Sequence, residues 1–282
     1  MENPKILQCG RFKLNLNAPQ IMGIVNCTPD SFSGDSFFNA PKSALAHAES
    51  QLKNGATLLD IGAESSRPFS DPVSPDEEWR RLFPVLKEVT AWNVPISVDT
   101  YHAETMTRAL DLGVDLVNDI CGMQSPESRA AVQNAPCAVC IMHMQNNPKT
   151  MQTAPSYENV AQSVENFFRT QKALCEKDGI DSRRLIFDPG FGFGKNLAQN
   201  LALVSALKKW SAEFLLLVGF SRKSMLGEIT GRDVKNRVTA SATAALIAAQ
   251  MGAHIVRVHD VAQTADALKV GQAFSTVNTD FF

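Results

Sequence analysis

A chain of 282 residues can hold one large domain with a sizeable core, or two small ones. With 44% hydrophobic and 20% charged residues, its composition is that of a soluble globular protein. A formal charge of −2 gives no strong basic or acidic field, which argues against a nucleic-acid or membrane surface.

Residues 1–10 are polar and lack the build of a secretory signal, so a cytoplasmic location is expected. No apolar run nears the ~20 residues of a membrane helix. The longest, residues 214–220, suits a buried strand. The six cysteines are scattered, and free thiols are the expectation. Cys137 and Cys140 form a C-x-x-C inside an apolar strand-like run. An offset of three places them on opposite strand faces, which favours buried structural thiols over a metal or redox pair.

Eight strand-like runs follow one another at residues 21–26, 57–61, 95–99, 114–118, 137–143, 184–188, 214–219 and 254–259. Helical periodicity separates them. Ala44, Leu45, Ala48 and Leu52 form one apolar stripe, and Val160, Val164, Phe167, Phe168 and Cys175 a longer one. Ser74-Pro75-Asp76-Glu77-Glu78 predicts a helix start, with a capping serine, proline at the first position and acids in the first turn. Residues 238–251 predict an alanine-rich helix, apolar nearly all round, either buried or packed on a partner subunit. Eight βα units fit a single-domain (β/α)8 TIM barrel spanning residues 1–282, a fold of ~250 residues. A doubly wound sheet is the alternative, weakened by the lack of a G-x-G-x-x-G after the first strand.

Barrel sites lie at the carboxyl ends of the strands. Five strands end in a polar residue: Asn26, Asp99, Asn118, Asp188 and His259. One such residue would be a strand turning to water; five at equivalent positions point to a site. Period-two alternation puts Val114, Leu116 and Asn118 on one face, Arg184, Ile186 and Asp188 on another, and Ile255, Arg257 and His259 on a third. Arg257 and His259 suit an anion, although a surface ion pair would also explain Arg257. Ser221-Arg222-Lys223-Ser224 opens a helix, whose free N–H groups also favour an anion; a solvated loop lysine is the plain alternative for Lys223. Two carboxylates, an amide and an ammonium match a small flat heterocycle with an amidine edge and a carbonyl. The residues alone do not name the ring.

Two segments, Met22-Gly23-Ile24-Val25-Asn26-Cys27-Thr28-Pro29-Asp30-Ser31-Phe32-Ser33 and Asp60-Ile61-Gly62-Ala63-Glu64-Ser65-Ser66-Arg67-Pro68, resemble the signatures of dihydropteroate synthases. SVDT ending at Thr100, VNDI ending at Ile120, MHMQ and NPKTMQ between Met142 and Gln152, DPGFGFGK at Asp188 to Lys195, SRKS at Ser221 to Ser224 and RVHDV at Arg257 to Val261 match in order, over nearly the whole chain. The resemblance implies a dimeric barrel that displaces pyrophosphate from 6-hydroxymethyl-7,8-dihydropterin pyrophosphate with the amine of p-aminobenzoate. It implies that Asp99, Asn118, Met142, Asp188, Phe193 and Lys223 hold the pterin. Asn26, Arg257 and His259 would hold the pyrophosphate, with Mg²⁺ at Asn26. Phe32, Ser66, Arg67, Pro68 and Ser224 would serve p-aminobenzoate, and Asp99, Asp188, Lys223 and Arg257 form the catalytic set. Sulfonamides compete for the amine site in this family. Ser66 stands where the family carries Thr, Ala63 where it carries Gly, and Gly34-Asp35-Ser36-Phe37-Phe38 departs from its Asp-Gly-Gly, so the amine site is where this chain differs. Three alternatives are a methyltetrahydrofolate-dependent methyltransferase, a Schiff-base aldolase using Lys223, and a silent binding protein on the same fold.

Overall fold

The computed structural model describes residues 4–27, 40–64, 73–145, 150–151 and 155–275. A short antiparallel hairpin, β1 (Ile6–Cys9) and β2 (Phe12–Asn15), comes first. Strand and helix then alternate: β3 (Gln20–Asn26), α1 (Ala40–Lys53), β4 (Leu58–Gly62), α2 (Pro75–Val89), β5 (Ile96–Asp99), α3 (Ala103–Asp111), β6 (Leu116–Asp119), α4 (Pro126–Gln133), β7 (Ala138–Met142), α5 (Val160–Lys177), β8 (Leu185–Asp188), α6 (Leu197–Trp210), β9 (Leu217–Val218), α7 (Ser224–Thr230), α8 (Val238–Gln250), β10 (Ile255–Val258) and α9 (Val261–Ser275).

The eight strands β3 to β10 pair in parallel, in the order β8-β7-β6-β5-β4-β3-β10-β9. A parallel bridge between Phe187 and Leu216 joins the two ends of the sheet. The result is a single-domain (β/α)8 barrel, as the alternation predicts. Outward side chains such as Leu59, Val98, Val117, Val139 and Phe187 pack under the helices, where each fully buried aliphatic or aromatic side chain contributes roughly 1.5–3 kcal/mol. A second layer, including Met22, Leu58, Leu116, Cys140, Ile186 and Ile255, fills the barrel itself. Cys137 lies in the outer cluster and Cys140 in the inner one, on opposite faces as the offset of three requires. All six cysteines are free thiols.

Helix α2 begins as its sequence dictates: the Ser74 hydroxyl accepts from the Glu77 N–H at 3.3 Å, and Pro75 occupies the first turn. The hairpin is a feature that sequence reasoning missed. Leu7, Cys9 and Leu16 plug the amino-terminal end of the barrel against the inner layer. Gly10 turns the hairpin with a φ of +55°, and a Cβ there would meet Asp115 Oδ1 at 2.4 Å. Asp115 is the anchor, accepting from Arg11 Nε at 3.0 Å and Nη2 at 2.8 Å and from the Ile96 N–H at 3.1 Å.

Two sequence expectations change. Strand β9 has two residues where residues 214–219 were expected, because the Leu216 N–H goes to a side chain, His254 Nδ1 at 2.9 Å, instead of continuing the ladder. Burial pushes His254 down to about 4, so its neutral ring can accept that bond. Arg184 does not share the inward face of Ile186 and Asp188. It precedes the strand, in a 3-10 turn at Ser182–Arg184, and binds the carbonyls of Cys137 (2.7 Å) and Val132 (2.6 Å).

Candidate active site

Parallel register brings strand ends to one level. Asn26 pairs with Gly62, Gly62 with Asp99, Asp99 with Asn118, and Met142 with Asp188. Inward alternation then aims Asp60, Asp99, Asn118, Asp188 and Arg257 into the carboxyl-terminal mouth.

Arg257 is the centre of this floor. Its Nε donates to Asp60 Oδ2 at 2.5 Å and its Nη2 to Asp99 Oδ2 at 2.6 Å. Asn118 Nδ2 donates to the same Asp60 oxygen at 3.2 Å. Burial alone would pull the guanidinium down, but the charges of Asp60 and Asp99 more than offset it and hold it above its ordinary value. The pair is internal, with Asp60 fully buried, so Arg257 is not the surface ion pair that sequence left open. Burial pushes Asp99 up to about 7, with Arg257 opposing and Asp60 adding to the rise.

The second half of the mouth gathers around Asp188. Its Oδ1 accepts from the Gly190 N–H at 2.7 Å, while burial raises its pKa and Lys223 opposes that rise. The loop from Asp188 to Lys195 doubles back tightly. Gly190 has a φ of +67°, and a Cβ there would lie 1.9 Å from the His143 carbonyl oxygen, so no other residue fits. Lys195, almost fully buried, clips the loop shut by donating to the carbonyls of Phe193 (2.8 Å), Gly190 (2.9 Å) and His143 (3.3 Å). Lys223 donates to the Phe191 carbonyl, and its Nζ lies 4.7 Å from the Phe193 ring centroid. Burial pushes Lys223 down to about 8, with Asp188 opposing. Met142, Met144, Met151 and Ile120 form an apolar wall with Tyr101, Cys121 and Phe193 against it, so Met142 and Phe193 belong to one apolar cluster.

The start of α8 holds the Arg222–Lys223 backbone. Arg237 Nη1 donates to the carbonyls of Arg222 (3.0 Å) and Lys223 (3.3 Å), and Ser241 Oγ accepts from the Arg222 N–H at 3.0 Å. Ser221 Oγ lies 2.9 Å from His259 Nδ1, and Arg222 pairs with Asp260 at 2.6 Å, linking the ends of β9 and β10. Ser224 is exposed in the first turn of α7, and Asn26 is half-buried at the end of β3. Phe32, Ser66, Arg67 and Pro68 lie outside the described residues, as do positions 34–38.

Sequence reasoning quoted Asp60 and Lys195 inside motifs but gave neither a role. A charged residue inside the apolar strand Leu-Leu-Asp-Ile-Gly was the missed signal for Asp60. Lys195 carried none beyond its place at the end of a glycine-rich run.

A closed barrel whose mouth holds carboxylates, an amide and an ammonium beside an arginine defines a (β/α)8 enzyme for a polar heterocycle carrying an anion. A family model described as pterin binding enzyme matches residues 22–259. Dihydropteroate synthase of Neisseria meningitidis serogroup B is 49% identical over 276 residues, covering 95% of this chain and 97% of that protein. The structure of Xanthomonas albilineans dihydropteroate synthase with 4-aminobenzoic acid superposes with a TM-score of 0.92 at 41% identity, covering 98% of this chain and 100% of that one. Burkholderia cenocepacia dihydropteroate synthase complexed with 7,8-dihydropteroate gives a TM-score of 0.89 at 42% identity, covering 98% of each chain. The chain belongs to the pterin binding enzyme family, among its dihydropteroate synthases, which are transferases.

Proposed function

We propose that this mouth condenses 6-hydroxymethyl-7,8-dihydropterin pyrophosphate with p-aminobenzoate, giving 7,8-dihydropteroate and pyrophosphate. The observation that carries the assignment of roles is the folded-back Asp188–Lys195 loop, in which the Gly190 N–H holds Asp188 at 2.7 Å and the Phe193 ring centroid lies 4.7 Å from Lys223 Nζ. Asp188 accepts two N–H groups of the pterin amidine edge, the geometry a carboxylate serves best. Asp99 and Asn118 complete the ring's hydrogen bonds, and Lys223 donates to its carbonyl side. Met142 and Phe193 cover the flat faces.

Arg257 and His259 neutralise the pyrophosphate as it leaves, and the methylene's growing positive charge is shared by the pterin ring. The aromatic amine attacks without a strong base, so catalysis is positioning and charge stabilisation. Ser66, Arg67, Pro68, Phe32 and Ser224 serve the amine substrate.

Among the described residues no group of three or more His, Cys, Asp or Glu could hold a metal. Magnesium ordinarily keeps several waters and is shared between substrate phosphates and one or two protein oxygens. The donor set therefore fits a magnesium held by the Asn26 amide oxygen together with the pyrophosphate. When bound, it would supply charge neutralisation at the leaving group.

We also propose a homodimer. Leu201, Val204, Phe220, Met225, Ile229 and Ile247 line an apolar groove of about 740 Å³ between α6, α7 and α8. A second copy suits it, because α8 is apolar nearly all round and leaves Ile247 44% exposed. No helix of the described residues is long and apolar enough to cross a membrane. Free thiols suit a reducing cytoplasm.

Product formation from dihydropterin pyrophosphate and labelled p-aminobenzoate, with and without Mg²⁺, tests the assignment in wild type and Asp188→Ala. Turnover should collapse in the variant and without metal. A folded wild-type protein with no turnover would overturn the reading.

A further inference from the structure

The segment between β9 and α7 carries a backbone feature that the roles above leave unexplained. Arg222 has a φ of +61°, in the left-handed region, and Met123 is the only other non-glycine residue there among the described residues. A residue with a β-carbon is strained in that conformation, and glycine is not. An arginine kept at such a position points to a task for its side chain.

That side chain grips Asp260. Arg222 Nε donates to Asp260 Oδ2 at 3.1 Å and Nη2 to Asp260 Oδ1 at 2.6 Å, a two-pronged pair. Both backbone groups of Arg222 are held as well. Its N–H donates to the Ser241 hydroxyl at 3.0 Å, and its carbonyl accepts from Arg237 Nη1 at 3.0 Å. Asp260 is fixed in turn: its carbonyl accepts from the Thr264 N–H at 3.2 Å and the Thr264 hydroxyl at 2.9 Å, at the start of α9. The Arg222 side chain is 41% exposed and that of Asp260 12%. A pair this close to solvent adds little stability. A planar fork on a carboxylate still sets direction as well as distance.

What the pair sets is the placement of its neighbours. Ser221 and Lys223 flank Arg222, and His259 precedes Asp260. Ser221 Oγ accepts from the His259 N–H at 3.1 Å. The links from Ser221 to His259 and from Arg222 to Asp260 run side by side, and clamp the residues after β9 to those after β10. One clamp therefore spaces Lys223, assigned to the pterin, from His259, assigned to the pyrophosphate.

We propose that Arg222 and Asp260 are positioning residues that hold Lys223 and His259 at the spacing of one joined substrate, acting through those two side chains and not on the ligand. This rests on the roles given to Lys223 and His259 under the proposed function. A ligand with two ends gains from both contacts at once only when their spacing is right, whereas each end bound alone does not feel that spacing. Loss of the clamp should therefore weaken the joined substrate and spare its parts.

The experiment is calorimetry without p-aminobenzoate, with Mg²⁺ present, in wild type, Arg222→Gly, Asp260→Asn and the double variant. Glycine suits the left-handed backbone, and the asparagine keeps the size of Asp260, so both single variants should fold; thermal melting checks this. Three ligands are compared: 6-hydroxymethyl-7,8-dihydropterin, inorganic pyrophosphate, and the two joined as the pyrophosphate ester. Both single variants should bind the separate parts as wild type does. They should bind the ester about ten- to hundredfold more weakly, the scale of a small misplacement away from the reacting atoms. The double variant should be no worse than either single one, because each removes the same pair. An ester affinity that stays at the wild-type level overturns the proposal, as does an equal loss for all three ligands or a double variant whose losses add. A wild-type protein that binds none of the three ligands would defeat the synthase assignment and the clamp with it; wild-type binding with an undiminished ester affinity in the variants would defeat the clamp alone.

Discussion

Arg257 and Asp60 meet at 2.5 Å on the floor of the barrel mouth, and the Asp60 oxygen that binds Arg257 also binds Asn118. One buried oxygen thus fixes a side chain assigned to pyrophosphate and another assigned to pterin. Removing one partner of a buried ion pair costs about 3–5 kcal/mol, because the other charge stays behind. Asp60→Asn should fall near the lower end, since Arg257 keeps Asp99. Thermal unfolding should drop by several degrees. The KM for pterin pyrophosphate should rise about tenfold or more, a change of about 1.4 kcal/mol. Wild-type melting and wild-type KM in this variant would strip Asp60 of the role.

The mouth should also work in a narrow pH window. Burial pushes Asp99 up to about 7, so its charged form is lost as pH falls through that value. Burial pushes Lys223 down to about 8, so its charge is lost as pH rises through that value. The kcat/KM for pterin pyrophosphate reports the free enzyme. It should trace a bell with its maximum between the two. Asp99→Asn should remove the enzyme's part of the acid limb, and Lys223→Arg, which keeps the charge, should remove the alkaline limb. Limbs that stay in place in both variants would assign the titrations elsewhere.

Lys195 offers a separate test. Its three carbonyl partners close the loop whose Gly190 N–H binds Asp188. Lys195→Met leaves buried carbonyls without their donor, at about 1–3 kcal/mol for each unsatisfied group. Lower thermal stability should come with a raised KM for pterin pyrophosphate, because Phe193 and Asp188 lose their support together. A variant that melts early yet binds the pterin normally would confine Lys195 to stability.

The barrel was visible in the sequence because its strands are apolar, short and evenly separated by helical stripes. Asp99, Asn118 and Asp188 were visible because a polar strand end recurs at one level. Other features depend on tertiary context. The hairpin at Ile6–Asn15 alternates over only four residues per strand, too few to stand out from a polar terminus. Asp60 sits two residues before the end of β4, and the charge inside that apolar run tells only that it is unusual, while its partners Arg257 and Asn118 come from other strands. Arg237 reaches the Lys223 backbone from 14 residues away, and His102 meets Glu64 from a different strand end. Such pairings exist only once the strands are in register.

The groove beside α8 yields the remaining prediction. Leu201 and Ile247 are 47% and 44% exposed within it, a surface that a monomer would leave wet. Helix α8 also carries Ser241, and Arg237 stands at its start, so both groups that hold the Arg222 and Lys223 backbone belong to the helix that lines this groove. Ile247→Arg places a charge where the second copy should pack, and an unpaired buried charge is strongly disfavoured. Sedimentation should show a wild-type dimer and a variant monomer, with the kcat/KM for pterin pyrophosphate reduced in the monomer. A wild-type monomer, or an Ile247→Arg protein that still sediments as a dimer, would mean that this groove is not the subunit interface.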